Sequence, residues 1–172
     1  MNYFENSRKV YFAKMKEKAI LPSKKDEDAG YDFYACFEEP FIMLEPLETK
    51  LIPTGLAWAC SPEFYLQIEE RSSTGIKGIK RSAGIIDSGY RGEIKIAITN
   101  ANDFPVVFTN ISEEELLGKV PENALIYNTK KAIAQGIIHR VEKMEITELP
   151  LNELLSISSE RSDKGFGSTN KI

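Results

Sequence analysis

The feature that most constrains this chain is a two-residue hydrophobic rhythm. Phe64, Leu66 and Ile68 alternate with Tyr65, Gln67 and Glu69, and Ile94, Ile96 and Ile98 alternate with Glu93, Lys95 and Ala97. Successive side chains on a strand point to opposite faces, so this rhythm describes strands with one face toward a core. Shorter apolar runs at 10–13, 31–35, 56–60 and 133–141 have strand length, and Pro and Gly punctuate the gaps, as at Pro53-Thr54-Gly55, Gly89 and Gly92. Many short strands separated by turn residues predict an all-β barrel or sandwich. No long stretch carries the periodicity of an amphipathic helix.

One short helix is expected inside a long polar connection at 101–131, which otherwise reads as an elaborated surface hairpin. Ser112 suits the N-cap, Glu115 stands three residues on as in a capping box, and Gly118 ends the element after Leu117. The stretch 156–172 is rich in Ser, Gly and charge and poor in apolar residues, the composition of a flexible arm. The expected organisation is a β-domain over 1–155 followed by that arm.

A length of 172 residues suits one domain with its own core and no disulfide staples. Cys36 and Cys60 lack CxxC spacing and a neighbouring histidine, so two reduced, buried thiols are expected. A net charge of −4 argues against broad nucleic-acid binding, which depends on a Lys/Arg surplus. No run approaches a membrane span and the first residues lack the apolar core of a signal peptide, so a cytoplasmic protein with no membrane or nucleic-acid partner is expected. Trp58 and the Tyr31, Phe33, Tyr34 group read as packing, and His139 receives no role.

Three segments concentrate chemistry. Arg71-Ser72-Ser73-Thr74 places a cation beside three hydroxyls, which suits phosphate oxygens, although a polar turn after a strand has the same composition. Gly84-Ile85-Ile86-Asp87-Ser88-Gly89-Tyr90 reads as a hairpin whose tip carries an acid and an aromatic. An aspartate is ionised at neutral pH and acts as a general base when a water lies within reach, or it caps the turn with its own side chain. In the arm, Arg161, Phe166, Ser168 and Thr169 join a cation and hydroxyls to a ring that can stack on a base, with Gly165 and Gly167 allowing close approach. Gly75 to Lys80 lacks the spacing of a phosphate-binding P-loop.

Together DAGYDFYA (28–35), RSSTGIKG (71–78), AGIIDSGYRGE (83–93), IAQGII (133–138) and ERSDKGFGSTN (160–170) resemble, in order and spacing, the five motifs of the trimeric dUTP pyrophosphatases. Asp87 follows Arg71 by 16 residues, as in that family. The resemblance implies a jelly-roll β-barrel assembled as a homotrimer that hydrolyses dUTP to dUMP and pyrophosphate with Mg2+. It implies Asp87 as the base for the attacking water and Asp32 as the holder of magnesium through water. Arg71, Ser72, Ser73 and Gln135 would contact phosphates, and Tyr90 would pack on the deoxyribose. Backbone groups of the hairpin from Gly84 to Tyr90 would read the uracil edge. Arg161, Gly167, Ser168 and Thr169 would grip the terminal phosphates, with Phe166 stacked on uracil as the arm closes over a neighbouring subunit's site. Ala132, Ser162 and Asn170 depart from the family pattern. The related dCTP deaminases carry a catalytic Glu where Ala97 stands and an Arg where Ile76 stands, so deamination is not expected. Some phage relatives also bind regulatory proteins, which makes 101–131 a candidate protein-docking surface.

Overall fold

The alternation of residues 64–69 becomes strand β6 (Phe64–Glu69), where Leu66 and Ile68 are buried and Tyr65, Gln67 and Glu69 stay partly exposed. The structure is a computed structural model, and it describes residues 8–159. Five strands precede β6: β1 (Tyr11–Lys14), β2 (Tyr31–Phe33), β3 (Phe41–Leu44), β4 (Thr49–Pro53) and β5 (Leu56–Ala59). After it come α1 (Ser72–Gly75), β7 (Ile79–Ala83), β8 (Ile85–Ile86), β9 (Lys95–Asn100) and β10 (Val106–Thr109). The described chain ends with α2 (Glu113–Leu116), β11 (Leu125–Asn128), β12 (Ala134–Arg140) and α3 (Leu151–Ser156).

These strands form four small sheets, ordered β1-β5, β11-β10-β3, β2-β12-β6-β8 and β4-β9-β7. All pairs are antiparallel except β10 with β11. One apolar cluster takes residues from every sheet, among them Trp58, Phe108, Leu66, Ile68, Ile96 and Phe33. Period-two strands closing around a shared core give the all-β, jelly-roll-type fold expected from the sequence. Cys36 and Cys60 are free and buried, and burial pushes both thiols up.

Two regions differ from expectation. The 101–131 connection is not a surface hairpin: β10 is buried along its whole length, and β10 and β11 run parallel, so 110–124 is a crossover carrying α2. Parallel neighbours cannot be joined by a tight turn, which accounts for the length of the connection. Within it, α2 forms as read. Ser112 Oγ accepts from Glu115 N at 3.2 Å, Glu115 Oε2 accepts from Ser112 N at 3.0 Å, and Gly118 takes φ 71°. Beyond Val141 the chain forms a second unit, 142–172, whose described part holds α3. In that unit Met144, Ile146, Leu151 and Leu155 are mostly exposed. No helix among the described residues is long and apolar enough to cross a membrane.

Candidate active site

The phosphate-type residues gather at the C-terminal end of β6. The register places Gln135 of β12 opposite both Glu69 of β6 and Asp32 of β2. Immediately after β6 the chain turns through α1, a single helical turn locked by Thr74. Its buried hydroxyl accepts from Arg71 N at 3.1 Å and donates to Arg71 O at 2.9 Å. That lock leaves Ser72 and Ser73 exposed and aims the Arg71 side chain across the sheet. Arg71 Nε meets Asp32 Oδ1 at 3.0 Å, and Arg71 Nη1 donates to Ala132 O at 3.2 Å. The buried Tyr127 hydroxyl donates to the same carbonyl at 2.7 Å, and burial pushes its phenol up, against the pull of Arg71. Ala132 thus contributes its backbone at the position where the sequence departs from the family. Gln135 Nε2 donates to Glu70 O at 3.0 Å. Gly30 lets that side chain pass, since a Cβ there would lie 2.9 Å from Gln135 Oε1.

Asp87 lies in another place. β7 and β9 pair as a hairpin, and residues 84–94 join them. The first part of this connection peels off as β8 and pairs with β6, Leu66 opposite Ile86 and Gln67 opposite Ile85. Asp87 and Tyr90 then close a turn, Tyr90 N donating to Asp87 O at 3.1 Å. The Tyr90 hydroxyl donates to Glu93 O at 3.0 Å, and the ring occupies the space a Cβ on Gly92 would need, 2.5 Å from its oxygen. Glu93 Oε1 accepts from Gly55 N at 2.8 Å, tying the base of the connection to the β4–β5 turn. A pocket of about 420 Å³ results, lined by Leu51, Ile85, Ile86, Asp87, Tyr90, Glu93 and Lys95.

These two groups of residues are separate within one chain. Because β8 is antiparallel to β6, Asp87 follows Ile86 toward the N-terminal end of β6, away from Glu69 and Gln135. At about 3.3 Å per strand residue, the four steps from the level of Tyr65 to that of Glu69 amount to roughly 13 Å. The structure therefore joins Asp32, Arg71 and Gln135, joins Ile86, Asp87 and Tyr90 around one pocket, and keeps these two sets apart, with Gly84 between them beside Ile68 of β6. Arg161, Phe166, Gly167, Ser168 and Thr169 lie outside the described residues. No group of three or more His, Cys, Asp or Glu side chains is placed to hold a metal among the described residues. His139, given no role from sequence, stacks on Tyr65 with ring centroids 5.3 Å apart. Arg81 was also passed over in the sequence; it forms an ion pair with Glu69 at 2.8 Å.

An all-β jelly roll with a cation-and-hydroxyl turn and an acid-and-aromatic loop offers groups that suit phosphate oxygens and a base for water. Residues 16–111 match the dUTPase family model. The deoxyuridine 5'-triphosphate nucleotidohydrolase of Fusobacterium nucleatum is 33% identical over 169 residues, covering 95% of this chain and 99% of that protein. A mutant dUTPase of Staphylococcus bacteriophage 80alpha, solved with dUpNHpp, superposes with a TM-score of 0.73 at 21% identity, covering 95% of this chain and 99% of that one. The dUTPase of S. aureus phage phi11, a mutant described with a structural Mg(II) ion, gives 0.65 at 21% identity, covering 82% and 96%. The chain belongs to the dUTPase family, and it is an enzyme of the nucleotidohydrolase class.

Proposed function

We propose that this chain hydrolyses dUTP to dUMP and pyrophosphate at a site shared between copies of a homotrimer, with Asp87 as general base. The observation that carries the reading is the pocket in which Asp87 and Tyr90 stand beside Ile85 and Ile86. Uracil enters against their backbone and the deoxyribose packs on Tyr90, whose ring leaves no room for a 2′-hydroxyl. The Asp87 carboxylate takes a proton from a water in line with the innermost phosphorus, the water oxygen bonds to that phosphorus, and pyrophosphate leaves. Arg71, Ser72, Ser73 and Gln135 of a second copy clamp the phosphates, because the separation along β6 keeps them from reaching the same copy's Asp87. The arm supplies Arg161, Gly167, Ser168 and Thr169 to the terminal phosphates and Phe166 to the uracil face, excluding water on closure.

Magnesium fits this arrangement. The ion uses few protein carboxylates and keeps waters and phosphate oxygens as ligands, so one carboxylate beside the phosphate clamp would serve it. Asp32 is about one-third exposed, and Arg71 engages Oδ1, leaving Oδ2 to hold the ion through water. When bound, the metal neutralises triphosphate charge. Deamination is disfavoured because Ala97, buried between Leu51 and Ala83 in the β4-β9-β7 sheet, offers no carboxylate.

Pyrophosphate release from dUTP, dCTP, dTTP and UTP, with and without Mg2+, tests the assignment. Turnover confined to dUTP and raised by Mg2+ is expected; similar turnover of all four nucleotides overturns it. A second, regulatory role is supported by an apolar groove of about 260 Å³ on the crossover, formed by Leu116, Leu117, Val120, Pro121, Ala124 and Ile126 and rimmed by Glu113 and Glu122. If Leu117→Lys leaves every protein partner of the chain bound with unchanged affinity, that role is lost.

A further inference from the structure

Arg81 touches both halves of the site, and we propose that it is a positioning residue that holds the uracil-reading strand and so sets base selectivity. The proposal rests on the dUTP reading above. Its origin is an irregularity in the β7–β9 ladder, where the register passes from Arg81 opposite Ile98 to Ala83 opposite Ala97. Such an irregularity bends a strand and re-aims a side chain. Lys80 and Ser82 remain exposed on either side, while Arg81 is turned over the end of β6 with its side chain only 28% exposed. There Arg81 Nη2 donates to Glu69 Oε2 at 2.8 Å, and Nε stands 3.9 Å from Glu70 Oε2. Glu69 and Glu70 belong to the phosphate half: Glu69 is the register partner of Gln135, and the Glu70 carbonyl accepts from the Gln135 amide.

The stem of Arg81 faces the other half. A Cβ on Gly84 would lie 2.8 Å from Arg81 Cδ, 3.0 Å from Nη1 and 2.5 Å from Ile68 O. Gly84 is therefore held between the backbone of β6, where Ile68 N donates to its carbonyl at 2.8 Å, and the arginine side chain. A guanidinium is planar, permanently charged and fixed in its fork, so a side chain anchored at Glu69 is a rigid wall for Gly84. The Glu69 partner stays ionised, since the Gln67 amide and then Arg81 hold its carboxyl below the usual range. Edge reading by backbone hydrogen bonds tolerates little displacement, so the position of 84–86 governs which base fits, while the chemistry at phosphorus depends on Asp87 and the phosphate clamps.

Steady-state kinetics on dUTP and dCTP with three variants tests this. Arg81→Ala removes stem and charge, Arg81→Met keeps the stem, and Arg81→Lys keeps a cation. For Arg81→Ala a KM for dUTP about tenfold higher is expected, the scale of losing one charge-assisted contact, with kcat within about threefold. The dUTP/dCTP ratio of kcat/KM should fall by a similar factor, with Arg81→Lys recovering part of it. A purely structural residue would lower the melting temperature and kcat but leave KM and the dUTP/dCTP ratio unchanged; that result, or wild-type kinetics in all variants, overturns the proposal. If Arg81→Ala does not assemble, Arg81→Met is read by the same criteria. Absence of dUTP turnover in the wild-type chain overturns both readings, whereas normal turnover with unaltered variants overturns this one alone.

Discussion

Asp87 sits on a turn whose closing hydrogen bond comes from the backbone, Tyr90 N to Asp87 O, so its carboxylate is not needed as the turn's cap. That leaves the carboxylate available for the proposed role as base. Asp87→Asn keeps the shape and removes the proton acceptor. Its expected effect is a fall in kcat of about 10²–10⁴-fold with dUTP affinity nearly unchanged, measured by pyrophosphate release and calorimetric titration. Near wild-type turnover would remove Asp87 as base. Glu69 gives a second expectation at this scale. Its carboxyl is held low in the folded chain by Gln67 and Arg81, so it contributes stability above its unfolded pKa that is lost as pH falls through the folded value. Glu69→Gln should lower the melting temperature at neutral pH by the equivalent of ~0.2–1 kcal/mol, as both side chains of the Arg81 pair are about a quarter exposed. The two proteins should converge in acid; a constant difference down to strongly acidic pH would refute this. At this scale the sequence singles out Asp32, Arg71, Asp87, Tyr90 and Gln135 as candidates through motif spacing, which needs no coordinates. It hides Arg81, since the irregularity that re-aims that side chain is a property of strand pairing.

Elements differ in how openly the sequence declares them. α2 is legible because its capping box is written in four consecutive residues, 112–115, and Gly118 closes it at positive φ. α1 is not, because one turn locked by the Thr74 hydroxyl looks the same as a polar loop. α3 follows Pro150 and spaces Leu151, Leu154 and Leu155 three and four apart, a pattern too short to separate from the polar stretch around it. β6 and β9 are legible through alternation. β10 is hidden, because a strand buried on both faces loses the two-residue rhythm and three apolar residues, Val106 to Phe108, followed by Thr109 signal little. The cap of α2 is open to test. Ser112→Ala removes the acceptor for Glu115 N and should destabilise that turn by about 1 kcal/mol, seen as roughly fivefold faster amide exchange at 115–117. Turnover of dUTP should be unchanged, because α2 contributes no side chain to either half-site. Unaltered exchange would mean that tertiary packing of the buried Leu116, rather than the cap, holds the helix.

At the scale of the whole molecule, the decisive geometry is the antiparallel pairing of β8 with β6. It sends Asp87 one way along the strand while Asp32, Arg71 and Gln135 sit at the other end, about 13 Å off. In the proposed reading a second copy brings its clamp to the first copy's Asp87, as a closed ring of heterologous contacts allows. The motif resemblance implies a site shared between subunits; what the strand pairing adds is that one chain holds the two sets apart. The consequence is complementation between dead variants. Asp87→Asn lacks the base but keeps the clamp, and Arg71→Ala lacks the clamp but keeps the base. Unfolded together in equal amounts and refolded, the two should form mixed trimers in which a site is whole when its Asp87 comes from the Arg71→Ala chain and its Arg71 from the Asp87→Asn chain. Each half is drawn independently, so about one-quarter of sites should be active, and dUTP turnover should recover to that fraction of wild type while each variant refolded alone stays inactive. If mixed trimers form by size and mass yet remain inactive, base and clamp come from the same chain, and the separation along β6 must close by a rearrangement of the 84–94 connection.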